Sequence, residues 1–416
     1  MATPCRPCQF RQHHRRHAAR HSAQPSAAGG RAGVHAVSTS TSSGKAQKVD
    51  VFRVSCSGPA DLSGVQALID AGRLDPAHIV AVMGKTEGNG CVNDHTRDFA
   101  ATAWCHFLAP HLRCTVAQVH DRVALVMSGG TEGVLSPHFT MFTRGFIDDS
   151  DAASVSGEKR LVIGTAHTRA FAPQEIGRMA QVAATAEAVQ AAMRDAGIDD
   201  AADVHFVQVK CPLLTSAKVL AAQLRGEVTV TRDSYESMGW SRGASALGVG
   251  LALGELPAVD EAAILQDSAL YSARASCSAG IELEGNVVIV LGEAIGSASA
   301  YRIAHTVMQD AVDASSVRRL LREAFGLDPE RDADAIAARL VNLLAKAEAS
   351  PSGLVRGARH TMLNDSDINA TRHARAAVGA VLASVVGQTA LYVSGGAEHQ
   401  GPAGGGPVAA ILAVAG

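Results

Sequence analysis

Three short phrases in this chain share one form, Ser-small-Gly-x-Glu: Ser128-Gly-Gly-Thr-Glu132, Ser278-Ala-Gly-Ile-Glu282 and Ser394-Gly-Gly-Ala-Glu398. Each is preceded by one lysine at or near the end of a hydrophobic run, in Met-Gly-Lys85, Gln-Val-Lys210 and Leu-Ala-Lys346. An arginine also recurs in each third, in Thr96-Arg97, Ser241-Arg242 and Thr371-Arg372. A serine hydroxyl is a weak nucleophile at neutral pH and needs a base beside it. A lysine amine is such a base once burial or a neighbouring arginine charge lowers its pKa. The small residues after each serine, Gly129, Ala279 and Gly395, let a backbone N–H approach a carbonyl oxygen and hold a developing oxyanion. Each third therefore offers a grip on one carbonyl, and a ring bearing three carbonyls fits a three-part site. A single Ser-Gly-Gly is an ordinary turn and a single lysine an ordinary solvated end. Three copies in the same order are the mark of an internal repeat.

The elements that must position these residues follow an α/β pattern, in which short β-rich runs alternate with longer Ala-rich stretches from Val49 onward. Strands are expected at Ile79 to Met83, Val123 to Met127, Leu161 to Gly164, His205 to Val209, Val287 to Leu291 and Ala390 to Val393. Helices are expected at Ala60 to Ala71, Pro173 to Ala196, Ala300 to Glu323 and Ala333 to Lys346. The repeat divides the chain into units at 49–150, 151–295 and 296–416.

Residues 1–48 are set apart by Arg6, Arg11, Arg15, Arg16, Arg20 and Arg31 and by the lack of any acidic residue before Asp50. That composition does not order itself. It is that of an organellar transit peptide, or equally of an upstream start codon read into a bacterial gene. The expected compartment is the cytoplasm, or an organelle if the segment is a transit peptide.

The 416 residues are 47% hydrophobic and 19% charged, enough for a substantial core. A net charge of -3 with 4% aromatic residues supplies neither the basic face nor the stacking platforms of a nucleic-acid binder. No apolar run approaches the ~18 residues of a membrane helix. The eight cysteines show no framework spacing and read as reduced thiols.

At the catalytic phrases the sequence resembles the cyanuric acid hydrolase and barbiturase family of ring-opening amidohydrolases. The resemblance is carried by Val-Met-Gly-Lys85-Thr-Glu-Gly-Asn-Gly-Cys-Val-Asn-Asp, Val-Met-Ser128-Gly-Gly-Thr-Glu-Gly-Val-Leu-Ser-Pro-His, Phe-Val-Gln-Val-Lys210-Cys-Pro-Leu-Leu-Thr and Val-Ser394-Gly-Gly-Ala-Glu-His-Gln-Gly-Pro-Ala-Gly-Gly-Gly-Pro, and it runs from about Val49 to the C-terminus. It implies three structurally similar α/β units around a pseudo-three-fold axis, with the active site at the centre. It further implies a cyclic imide as substrate, hydrolytic ring opening with Lys210 as base and Ser278 as nucleophile, and assembly into a homotetramer. Lys85 with Ser128 and Gly129, and Lys346 with Ser394 and Gly395, would bind the other two carbonyls, with Ala279 beside the nucleophile. Arg97, Arg242 and Arg372 would bind substrate, with Arg375 competing for the third place. No cofactor is implied for catalysis. A structural Mg²⁺ or Ca²⁺ is, held by Glu348 and by oxygens of Ala397, Gln400, Gly401, Pro402 and Gly405, a ligand set suited to a hard cation. From the residues alone, Glu348 reads as a solvated helix-end charge and the glycine run as a flexible loop.

Two other readings stand beside this one. A metal-dependent cyclic amidohydrolase would activate water through histidines and an aspartate, but the histidines lack His-x-His or His-Glu-x-x-His spacing. A small-ligand sensor or assembly subunit would leave the lysines charged and exposed.

Overall fold

The structure is a computed structural model that describes residues 35–36, 46–147 and 157–415. The arginine-rich expectation for residues 1–34 and 37–45 lies outside those residues. The same sheet is built three times. In the first unit, β2 (Gln47–Ser55), β3 (Ile79–Lys85), β4 (Ala124–Ser128) and β5 (His138–Phe146) lie in the order β2-β5-β3-β4. In the second, β6 (Arg160–His167), β7 (Val204–Pro212), β8 (Ala275–Gly280) and β9 (Val287–Ala294) lie in the order β6-β9-β7-β8, extended at the β6 edge by β1 (His35–Ala36). In the third, β10 (Tyr301–Met308), β11 (Leu340–Ala347), β14 (Tyr392–Gly395) and β15 (Gly406–Ala413) repeat it as β10-β15-β11-β14, while β12 (Leu354–Val355) and β13 (Ala358–Arg359) form a separate hairpin.

Each unit holds one parallel pair, β3 with β4, β7 with β8 and β11 with β14. A parallel pair needs a crossover. Here the crossovers contain α2 (Thr96–Leu112), α5 (Ser234–Ala252, preceded by α4, Ser216–Leu224) and α8 (Ala370–Val386). Beside them lie α1 (Ser63–Asp70), α3 (Met179–Ala196), α6 (Ala314–Phe325) and α7 (Ala333–Arg339), with α3 packed on β6 and α5, and α6 on β10 and α8.

Side chains alternate between sheet faces along a strand, and that alternation fixes the location of the core. The outer faces pack on the helices in one cluster per unit, with Trp104 and Met127 in the first, Val189 and Val209 in the second and Val378 and Val393 in the third. The inner faces meet in a single cluster that draws Met83 and Val126 from the first sheet, Phe206 and Ile289 from the second and Leu344 and Tyr392 from the third. Continuing those inner rows by two residues reaches Lys85 after Met83, Ser128 after Val126, Lys346 after Leu344 and Ser394 after Tyr392. The lysines and serines therefore emerge where the three inner faces converge.

Two expected helices are corrected. Ala300 to Glu323 is strand β10 followed by α6, which Asp313 starts by accepting a hydrogen bond from Ser316 N–H. Ala333 to Lys346 is α7 followed by β11. Alanine and leucine favour helix locally, but Leu340–Ala347 lies between two strands with seven of its eight residues buried. An apolar run buried on both faces has no period to tell strand from helix. The first unit also begins before Val49, since Gln47 and Lys48 of β2 pair with Phe146 and Gly145.

Candidate active site

Lys85 faces Ser128, Lys210 faces Ser278 and Lys346 faces Ser394 as direct cross-strand partners at the same end of their parallel pairs. All three lysines are buried. The units engage one another in a ring. Lys210 Nζ donates to Met127 O of the first unit at 2.6 Å, and Lys346 Nζ donates to Cys277 O of the second at 2.8 Å. Ser128 Oγ donates to Ser394 Oγ of the third at 3.4 Å, which closes the circle.

The arginines run round the ring in the opposite sense. Arg97 Nη1 donates to Ala279 O of the second unit. Arg242 grips Glu398 of the third through Nε at 2.8 Å and Nη2 at 2.5 Å. Arg375 grips Glu132 of the first through Nε at 2.6 Å and Nη2 at 2.7 Å. The left-handed Gly130 (φ 80°) and Gly396 (φ 76°) serve these last two contacts, because a Cβ at either would strike the incoming guanidinium.

A narrow polar cavity at this centre is lined by Gly90, Arg97, Ser128, Gly129, Lys210, Met238, Arg242, Ser278, Ala279, Arg375, Ser394 and Gly395. Lys85 and Lys346 lie against it, Lys85 donating to Ser128 Oγ at 3.3 Å and Lys346 to Ser394 Oγ at 3.3 Å. The structure gathers every expected substrate-site residue but one. Arg375, 3% exposed, lines the cavity; Arg372 does not, its side chain being 32% exposed while its Nε donates to Glu132 Oε1 at 3.2 Å. Met238 and Gly90 were missed, because neither residue type announces a site.

Burial pushes all three amines below the ordinary lysine range. Lys85 falls well below it, with Arg375 adding to the effect, and Lys346 falls to about 7, with Arg242 adding. Lys210 is lowered by burial and by Arg97, against the opposing charge of Glu282. These are the conditions under which a lysine is a base.

The unit carrying Ser278 departs from three-fold symmetry. Ser278 Oγ is buried and makes no hydrogen bond among the described residues, whereas the sister hydroxyls accept from their lysines. Lys210 alone has a carboxylate partner, Glu282 Oε1 at 3.2 Å. The corresponding Glu132 and Glu398 are held by arginines.

Glu348 follows β11 and borders a cavity shared with Ala397, Glu398, His399 and Gly401. Burial and then Glu398 push its carboxyl up to about 7. A cation beside this carboxyl would favour its ionised form. Among the described residues no group of three His, Cys, Asp or Glu is placed to hold one, so an ion here would rest on this carboxylate and on carbonyl oxygens. The Gln400 side chain is committed elsewhere, its oxygen accepting from Cys277 N–H at 2.6 Å, which leaves the backbone carbonyl. Pro402 O and Ala397 O each already accept one backbone N–H and keep a second lone pair. The residues fit a hard cation. The six cysteines among the described residues are free, and no helix of those residues is long and apolar enough to cross a membrane.

Comparison with known proteins agrees with this geometry. Cyanuric acid amidohydrolase of Pseudomonas sp. strain ADP is 59% identical over 366 residues, covering 87% of this chain and 98% of the relative. That of Bradyrhizobium diazoefficiens is 58% identical over 365 residues, covering 87% and 97%. Among solved structures, a cyanuric acid hydrolase described as an evolutionary innovation by structural concatenation superposes with a TM-score of 0.85 at 57% identity, covering 89% of this chain and all of that one. Cyanuric acid hydrolase from A. caulinodans gives 0.79 at 49% identity, with the same coverage. Residues 50–413 match the model of the amidohydrolase ring-opening proteins, and the chain, an enzyme of three concatenated α/β units, belongs to that family.

Proposed function

We propose that the protein hydrolyses cyanuric acid, opening its ring to carboxybiuret, which then loses carbon dioxide to give biuret. Ser278 Oγ attacks one ring carbonyl and its proton passes to Lys210. The tetrahedral intermediate collapses, the ring C–N bond breaks, and Lys210 protonates the departing nitrogen. Water then attacks the acyl-serine with Lys210 again as base, the bond between the acyl carbon and Ser278 Oγ breaks, and Lys210 returns the proton to Ser278 Oγ. Ser128 with Lys85, and Ser394 with Lys346, hold the other two carbonyls, while Arg97, Arg242 and Arg375 fix the ring plane and stabilise developing charge.

The observation that carries the assignment to the middle unit is its broken symmetry. Ser278 has the only serine hydroxyl of the three left without a partner, and Lys210 the only amine of the three with a carboxylate beside it. The choice of cyanuric acid over barbituric acid is supported by the names of the relatives. A hard cation at Glu348 would brace the loop after β14, whose Glu398 anchors Arg242, and no chemical step passes through it. Homotetramer formation completes the reading.

Purified protein assayed on both compounds tests this proposal. Turnover of cyanuric acid, and its loss in Ser278→Ala and Lys210→Ala with the fold retained, are the expected results. Preference for barbituric acid, or near-normal kcat in Ser278→Ala, would overturn it.

A further inference from the structure

Glu282 stands between two spaces. Its Oε1 lies 3.2 Å from Lys210 Nζ, and Lys210 lines the substrate cavity. Glu282 is absent from that lining and instead walls a second cavity of about 670 Å³, together with His120, Asp121, His167, Thr168 and Asn286. This space is lined by residues of the first and second units and shares none of them with the substrate cavity. Glu282 Oε2 is buried and makes no hydrogen bond among the described residues. An unsatisfied buried carboxylate oxygen is costly and calls for an explanation. The backbone is shaped for it, since a Cβ at Gly280 would strike both carboxylate oxygens. At the same place in the sister turns, Gly130 and Gly396 make room for an arginine instead.

The reaction requires such a link. Ring opening followed by hydrolysis yields a carboxylic acid that ionises at neutral pH, so each turnover leaves one proton in excess. After deacylation Lys210 returns the water proton to Ser278 Oγ, the product acid then ionises onto this neighbouring amine, and Lys210 must lose that proton before it acts as base again. We propose that Glu282 takes the proton from Lys210 and passes it to water in the second cavity, resetting the base by a route outside the substrate cavity. The N–H bond of the ammonium breaks as an O–H bond forms on Glu282. That carboxyl then releases the proton to water, and nothing is oxidised or reduced. Glu282 touches no reacting atom and acts through Lys210, so it is a positioning and relay residue, and its role rests on the assignment of Lys210 and Ser278 above. The charged and titratable groups around it are Lys210 and Arg97 on the substrate side and His120, Asp121, His167 and Glu284 along the second cavity.

Glu282→Gln and Glu282→Ala in the full-length enzyme test the relay. In Glu282→Gln, kcat should fall by about 10²-fold or more while KM changes by less than about threefold. The rising limb of kcat/KM should move to lower pH, because a negative charge beside Lys210 is gone. In Glu282→Ala, formate small enough to enter the second cavity should restore kcat in a saturable manner. It should not do so in Glu282→Gln, where the amide fills the space. A purely structural role predicts lost activity without rescue, and that result overturns the relay, as does kcat in Glu282→Gln within about threefold of the parent. If Glu282→Ala does not fold, the kcat of folded Glu282→Gln decides alone. Inactive Ser278→Ala and Lys210→Ala beside a fully active Glu282→Gln would sink the relay only, whereas turnover surviving in those two would sink the serine-lysine reading itself.

Discussion

Lys210 pairs with Glu282 at 3.2 Å, while Lys85 and Lys346, its equivalents in the other two units, donate to serine hydroxyls and backbone carbonyls. A site with perfect three-fold symmetry would hold a three-carbonyl ring equally at all three positions and give no reason to attack one of them. The exchange of an arginine for a lysine as the partner of one glutamate is the asymmetry on which the proposed assignment of chemistry to the middle unit rests.

The cavity arginines should separate by mutation. Arg375→Met leaves Glu132 as a buried carboxylate with one partial partner, so urea denaturation should show a loss of about 3 kcal/mol, and KM should rise at least about tenfold. Arg372→Ala, at a half-exposed position, should change both little. The reverse ranking in steady-state kinetics would return the substrate-binding role to Arg372.

The pH profile should report Lys210. Burial, then Arg97, lowers its amine, and Glu282 only partly offsets them. In the proposed mechanism the neutral amine is the active form, so log kcat/KM should rise with pH through an ionisation below the ordinary lysine value of about 10.4 and level above it. Arg97→Gln removes a positive charge, favours the protonated amine and should move the rise to higher pH. A rate flat from about pH 5 to about pH 10 would show that Lys210 is not a titrating base in the free enzyme.

A bound cation should reveal itself in stability before it does in rate. Magnesium or calcium at about 100 times its dissociation constant should stabilise the enzyme by about 2.7 kcal/mol, and a chelator should remove that gain. Glu348→Gln should lose the response in a thermal melt. At temperatures where the fold persists, the chelated enzyme should still turn over, because Ser278 and Lys210 need no metal. An unchanged melting curve with and without the cation would remove the site at Glu348.

The N-terminal boundary is equally open to test. Deleting residues 1–34, which leaves the β1 pairing with β6 in place, should leave kcat and the melting midpoint close to those of the full chain. Deleting through Lys48 should cost about 1–3 kcal/mol, because Gln47 Oε1 accepts from Ile163 N–H at 2.8 Å and Gln47 O accepts from Ala298 N–H at 2.8 Å. Equal stability of the two truncations would mean that Gln47 does not tie the first unit to the second.

Much of the site could be read from residue types. A lysine at the end of one strand and a serine at the end of its neighbour, three times over, needs only the two-residue period of a strand to be brought together. The glutamates could not be read that way. The same five-residue form sends Glu132 and Glu398 to arginines of a neighbouring unit but Glu282 to Lys210 of its own unit, and nothing within the five residues records that difference. Arg372 was favoured by its threonine neighbour, yet Arg97 is the second residue of α2 and Arg242 the ninth of α5, so no common helix position existed to echo. Strand β11 was hidden by its composition, since burial on both faces erased the period that separates strand from helix.

The most direct test of the mechanism is peptide mapping by mass spectrometry of enzyme quenched in acid during turnover of cyanuric acid. Opening a ring leaves the departing nitrogen attached to the acyl group, so the adduct should weigh as much as the whole substrate. The expected result is that mass on the peptide containing Ser278; the same adduct on the peptide of Ser128 or Ser394 would contradict the assignment of the middle unit.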